Sequence, residues 1–117
     1  MVTSKALASK TAESTIAEVY GENAAVIGRH DSKGNELSIL RADSGNIYVV
    51  SSGTALKWET ALRKALETIA STPTLTVKDK APSICLKLSA PDMTEADKEL
   101  IKNALGAVGV KAVFCAA

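Results

Sequence analysis

The chain has 117 residues, of which 46% are hydrophobic and 3% aromatic, and its formal net charge is +1 at pH 7. A chain of this length forms one core, so we expect a single domain over residues 1–117. No stretch approaches the roughly 18 apolar residues of a membrane-spanning helix, and the N-terminus lacks the apolar centre of a signal peptide. We therefore expect a soluble protein of the cytoplasm, or of a virion if it is viral, with no membrane partner.

The first half of the chain predicts one helix followed by a β-meander. Apolar side chains recur at steps of three and four over residues 5–20, which indicates an amphipathic helix, and Gly21 follows as its C-cap. Strand-like runs then cover residues 24–30, 36–42 and 46–51. The clusters between them are rich in Asp, Ser, Gly and Asn, which is typical of hairpin turns.

The second and third strands of this meander are apolar on both faces. In the second strand Leu37 and Leu40 lie on opposite faces, and in the third strand Tyr48 and Val50 share one face while Val49 takes the other. Such a sheet needs a cover on each side, from another element of the chain or from another subunit. We place a hypothetical interface on Leu40, Tyr48 and Val50.

The second half of the chain predicts two helices and three strands. A helix begins with Thr54 as its N-cap and stops at residues 71–73, and alternating strands follow over residues 74–77 and 84–89. Thr94 and Asp97 have the spacing of a capping box for a third helix. The last apolar run indicates a strand, with a short helix as the alternative. The order α-βββ-α-β-β-α-β predicts an α+β domain whose mainly antiparallel sheet of five or six strands packs against helices.

Side chains that could carry catalysis are few. His30 is the one histidine, and Asp31 is poorly placed to orient it because adjacent strand residues point apart. Cys85 and Cys115 lie in apolar runs without the spacing of a metal or redox site. We expect reduced thiols, or a disulfide if the two strands are neighbours in register. The sequence predicts no catalytic residues, no metal, no cofactor and no enzyme activity.

Basic residues concentrate in residues 57–87, which hold six Lys and Arg against three acidic residues. Nucleic-acid binding there requires these side chains to converge in space. The order helix, three strands, helix over the first 71 residues is similar to the topology of double-stranded RNA-binding domains. That family has a basic cluster at the start of its second helix, where this chain has a single lysine followed by Trp and Glu. The candidate nucleic-acid residues are Lys57, Arg63, Lys64, Lys78 and Lys80, with Lys87 at the end of the segment.

These features favour a non-enzymatic interaction or assembly protein, which forms a homo-oligomer or binds another macromolecule. A viral or phage origin suits such a compact, nearly neutral chain, as a coat subunit or as an inhibitor of a host system. RNA or DNA binding through residues 57–87 is the alternative function. An enzyme that acts on a small molecule ranks third.

Overall fold

A computed structural model describes residues 11–30 and 36–115 of the chain. Within these residues, three α-helices, five β-strands and two short 3₁₀ turns follow one another. The elements in chain order are α1 (Ala12–Tyr20), β1 (Ala24–Arg29), β2 (Leu37–Ala42), β3 (Ile47–Thr54), a 3₁₀ turn (Ala55–Lys57), α2 (Trp58–Ser71), a 3₁₀ turn (Pro73–Leu75), β4 (Ser83–Ser89), α3 (Glu95–Gly106) and β5 (Lys111–Cys115). The predicted α+β class is confirmed. None of the helices in the described ranges is long and apolar enough to cross a membrane.

The five strands form one mixed sheet in the order β1-β2-β3-β4-β5. The meander β1-β2-β3 is antiparallel, as the turn clusters predict, but β3-β4 and β4-β5 are parallel. The prediction of a mainly antiparallel sheet was therefore wrong for half of the pairings. The reason is that α2 and α3 lie in the connections, and a helical crossover brings the chain back to the end of the sheet from which the previous strand started.

The segment over residues 74–77, predicted as a strand, is not one. Residues Pro73–Leu75 form a 3₁₀ turn, and the bridge between Val77 and Lys80 is isolated from the sheet. Leu75 is buried in the core while Val77 is 43% exposed. The alternation of apolar and polar residues therefore reflects one buried side chain next to a tight turn, in which Lys78 and Asp79 have positive φ.

The helix ends follow local capping chemistry at two of the predicted positions. Gly21 ends α1 with φ +69°, a conformation that suits glycine, and Thr94 Oγ1 accepts a hydrogen bond from the Asp97 amide at 3.2 Å. Thr54 is not the predicted N-cap of α2. It ends β3, and residues 55–57 form a 3₁₀ turn before α2 begins at Trp58.

Two apolar layers cover the two faces of the sheet. On one face α2 and α3 pack over the larger cluster, which includes Leu37, Val49 and Leu86. On the other face Ile16 of α1 packs with Leu40 and its neighbours in a smaller cluster. The prediction that both faces are apolar and covered is confirmed, and the cover of the second face is an element of the same chain.

Candidate binding cleft beside helix α1

The α1 side of the sheet is apolar beneath the helix and polar beyond the N-terminus of the helix. The polar part belongs to neighbouring strands, because Arg29 of β1 pairs with Ser38 of β2, and Ser52 of β3 pairs with Lys87 of β4. Glu36 precedes β2, and its carbonyl accepts a hydrogen bond from the Ser52 amide at 2.8 Å. Polar side chains from four strands therefore gather on one area of the sheet.

This area forms a cleft of about 390 Å³ between the sheet and the first turn of α1. Sites for small ligands have volumes of about 300–1,000 Å³, so the cleft is large enough for one small polar group and its immediate surroundings. Its lining is mostly polar and includes both charged and hydroxyl side chains. The lining residues are Thr11, Ala12, Glu13, Val26, Arg29, Glu36, Ser38, Val50, Ser52 and Lys87.

Two hydroxyl groups in the cleft have no partner within the described ranges. Ser38 is only 7% exposed, yet its side chain makes no hydrogen bond to residues 11–30 or 36–115, and neither does the Ser52 side chain. Ser51, on the opposite face, shows the usual arrangement, because its hydroxyl donates to the Ala61 carbonyl at 2.8 Å. Fully buried hydroxyls are normally hydrogen-bonded, and within the described residues no buried side-chain oxygen or nitrogen lacks a partner. The Ser38 hydroxyl is therefore accessible from the cleft.

The charges that line the cleft nearly balance. Arg29 Nη2 lies 3.6 Å from Glu36 Oε2, and both side chains are more than half exposed. Lys87 is half-buried and Glu13 is exposed. In the first turn of α1 the Ser14 amide donates to Thr11 Oγ1 at 3.1 Å, and the helix N-terminus is equivalent to about +0.5 charge. The cleft is therefore weakly positive and rich in hydrogen-bond donors.

At its other end, α1 is fixed to the sheet by the carboxylate of Glu22. That carboxylate accepts hydrogen bonds from Ser44 Oγ at 2.5 Å, from Asn46 Nδ2 at 3.2 Å and from the Tyr48 hydroxyl. Lys80 Nζ in turn donates to Asn46 Oδ1 at 3.0 Å. The Ser44 hydrogen bond, followed by those from Tyr48 and Asn46, lowers the pKa of Glu22. Three donors occupy this carboxylate, so we assign it a structural role.

The hypothetical interface residues Leu40, Tyr48 and Val50 are core residues. They are at most 4% exposed and lie beneath α1 in the smaller cluster. Leu40 and Tyr48 are covered while α1 is in place, and Val50 is accessible only where it lines the cleft. The three residues are therefore part of the core and not an exposed interface. The sequence left open whether another element or another subunit covers this face, and in the structure α1 covers it.

The basic residues of the 57–87 segment do not share one surface. Arg63 and Lys64 lie on α2, whereas Lys87 lies in the cleft on the opposite face of the sheet. Arg63 also pairs with Glu67 one turn later at 3.3 Å, and Lys80 is hydrogen-bonded to Asn46. Lys57 ends a 3₁₀ turn, and Lys78 lies in the turn before β4. Lys87 is therefore separated from the two cations of α2, so the whole segment does not form one basic surface.

The two cysteines lie on neighbouring strands but out of register. Cys85 of β4 pairs with Lys111, and Cys115 of β5 pairs with Ser89. Both thiols are free in the described residues. The disulfide alternative required neighbours in register, and this pairing does not provide them. His30 is exposed after β1, and its amide donates to the Leu37 carbonyl at 2.9 Å. Its neighbours at positions 31 and 32 lie outside the described residues.

The sequence analysis did not identify the cleft, although the sequence contains a signal for it. Ser38, Ser52 and Lys87 share their face with Leu40, Val50 and Cys85 by the two-residue period of a strand. The face becomes polar at Ser38 in β2, opposite Val50, and two residues further on at Ser52 and Lys87 in β3 and β4. Such a change on three neighbouring strands indicates a site. The site can be recognised only when the pairing of β3 with β4 is known, and the predicted antiparallel sheet does not contain this parallel pairing.

Comparisons with known proteins assign the chain to no family. No protein-family model matches it, and no curated protein matches it. Among solved structures it is similar to "Structure of EndoMS in apo form", with a TM-score of 0.41 and 18% identity. The match covers 94% of this chain and 48% of that chain, so this chain spans about half of that protein's length. A likeness of this size assigns neither an activity nor a ligand.

Proposed function

We propose that the protein acts by binding, and that its cleft beside α1 holds a phosphate-bearing ligand. The observation that carries the proposal is the Ser38 hydroxyl, which belongs to a largely buried residue, opens into the cleft and has no partner in the described chain. The side chains of Arg29 and Lys87 and the N-terminus of α1 border the same space. Cationic side chains, hydroxyls and helix N-termini are the groups that bind phosphate oxygens.

The carboxylates in the cleft limit how strongly an anion binds. Glu36 already pairs with Arg29, so a phosphate must share that guanidinium. Glu13 lies in the first turn of α1 and offsets part of the positive end of the helix. We therefore expect modest affinity for a free anion, and tighter binding for a partner that adds contacts outside the cleft.

A titration of the full chain with inorganic phosphate, followed by ¹H–¹⁵N NMR at constant ionic strength, tests the proposal. We expect shifts confined to the amides around the first turn of α1, Ser38 and Ser52. Lys87→Gln should weaken binding about tenfold, because hydrogen bonds to charged groups contribute about 1.5–3 kcal/mol. Lys102→Gln removes the same charge from exposed α3 and should leave the affinity unchanged. Equal shifts in wild type and Lys87→Gln would refute the site.

Assembly as a homo-oligomer and binding of RNA or DNA stay predictions. Light scattering at tens of micromolar would test assembly, and a monomer would argue against it. Retention on duplex RNA that weakens with added salt would support the nucleic-acid alternative. The separation of Lys87 from Arg63 and Lys64 gives that alternative no support.

A further inference from the structure

A second cleft, of about 310 Å³, opens where the parallel strands β3 and β4 end. The two strands are paired up to Thr54 and Ser89, their last residues. After Thr54 the chain enters the 3₁₀ turn before α2, and after Ser89 it enters the loop before α3. The cleft lies between these two connections and is separate from the cleft beside α1.

The walls of this second cleft are mainly apolar. Leu56, Pro91 and Met93 line it, and Ala55 and Ala90 form its buried part. Leu56 is 84% exposed. A single exposed leucine is common, but here Leu56 lies beside Pro91 and Met93 on one apolar wall, and contiguous apolar patches mark interaction sites.

Two carboxylates, Asp92 and Asp97, complete the lining, and none of the lining residues is basic. Neither carboxylate makes a hydrogen bond or an ion pair within residues 11–30 and 36–115. In a full capping box the Asp97 carboxylate would accept a hydrogen bond from the Thr94 amide, but here only the Asp97 amide donates, to Thr94 Oγ1. In the same turn of α3, Glu95 does have a partner, because Lys98 Nζ lies 3.9 Å from its carboxylate.

We propose that this cleft binds an arginine or lysine side chain presented by a partner protein. Such a side chain has an aliphatic stem and a charged end. The stem matches the apolar wall of Leu56, Pro91 and Met93, and the charged end matches the carboxylates of Asp92 and Asp97. The volume of the cleft is at the low end for ligand sites, which suits one inserted side chain.

The full chain titrated with N-acetyl-arginine amide, and in parallel with N-acetyl-citrulline amide, tests this proposal. Citrulline has the same stem and no charge. We expect NMR shifts at residues 55–56 and 90–93 with the arginine probe, and at least fivefold weaker binding of the citrulline probe. Asp92→Asn should weaken binding of the arginine probe about threefold, as expected for a partly exposed ion pair.

Asp92 precedes α3 and caps no helix, so Asp92→Asn retains the fold and keeps the test valid. Asp92→Asn combined with Asp97→Asn should lower the affinity further, provided that thermal unfolding shows α3 intact. Glu99→Gln, which removes a negative charge from α3 outside the cleft, is the matched control and should bind as wild type does. Equal affinity for both probes, or equal weakening by Glu99→Gln and Asp92→Asn, would overturn the proposal.

Discussion

The rings of Tyr20 and Tyr48 lie with their centroids 4.5 Å apart and their planes tilted by 44°. Tyr20 ends α1 and Tyr48 lies in β3, so the contact holds the last turn of the helix on the sheet. Aromatic pairs in such tilted arrangements add about 0.5–1.5 kcal/mol to the effect of burial. Tyr48 also donates a hydrogen bond to Glu22, directly after the helix. One end of α1 is therefore fixed by packing and hydrogen bonds, while the other end borders the cleft.

Tyr48→Phe should lower the free energy of unfolding by about 1–2 kcal/mol, because a hydrogen bond to a charged group is lost while the ring contact stays. Tyr20→Phe is the matched control. Its hydroxyl donates only a long hydrogen bond of 3.4 Å to the Ile84 carbonyl. We expect a smaller loss for Tyr20→Phe, measured by urea unfolding with Trp58 fluorescence. A larger loss for Tyr20→Phe would contradict the role assigned to Glu22.

Glu22→Gln should lower the thermal midpoint at pH 7, and its difference from wild type should shrink as the pH falls below 4.5. The hydrogen bonds from Ser44, Tyr48 and Asn46 lower the pKa of Glu22 from its usual value of 4.5. A lowered carboxyl pKa stabilises the fold above the unfolded-state pKa, and this stabilisation is lost as the pH falls through the folded-state pKa. Melting curves of both proteins over this range test the prediction. A difference between them that stays constant down to about pH 3 would show that the carboxylate charge is unimportant.

Leu40→Ala should destabilise the protein by about 2–5 kcal/mol, the usual cost of removing a large buried side chain. Leu40 is fully buried beneath α1. Leu100 on α3 is 68% exposed, so Leu100→Ala should change stability by less than about 0.5 kcal/mol. Urea unfolding measures both effects, and light scattering shows whether either variant changes the oligomeric state. Loss of an oligomer without loss of stability in Leu40→Ala would restore the interface hypothesis.

Cys85 should resist alkylation in the native protein. Burial in the cluster beneath α1 raises the pKa of the Cys85 thiol to about 12, and the thiolate is the reactive form. Cys115 is only half-buried and should react with iodoacetamide first at about pH 8. Peptide mass spectrometry distinguishes the two sites, and both should react in concentrated guanidinium chloride. Faster labelling of Cys85 would mean that α1 opens readily.

Most helices and strands can be predicted from the sequence, but not how they pack into the sheet and its two covering layers. Turn chemistry and capping are local, so the meander and the caps at Gly21 and Thr94 follow from neighbouring residues. The face that α1 covers depends on packing between distant segments, which the helical period alone does not fix. The cleft depends on pairing Ser52 with Lys87 across parallel strands 35 residues apart. This pairing can be predicted only when the direction of each strand after its helical connection is known.

Glu36→Gln should increase the affinity for inorganic phosphate about threefold, the size expected when one exposed ion pair is removed. The Glu36 carboxylate lies 3.6 Å from Arg29, so it competes with an anion for the guanidinium. Its amide replacement leaves the backbone hydrogen bond from Ser52 in place, because that bond uses the Glu36 carbonyl. Glu67→Gln breaks the comparable pair with Arg63 on α2, outside the cleft, and should leave the phosphate affinity unchanged. Weaker binding in Glu36→Gln would instead place that carboxylate among the ligand's own contacts, and the phosphate assignment would then fail.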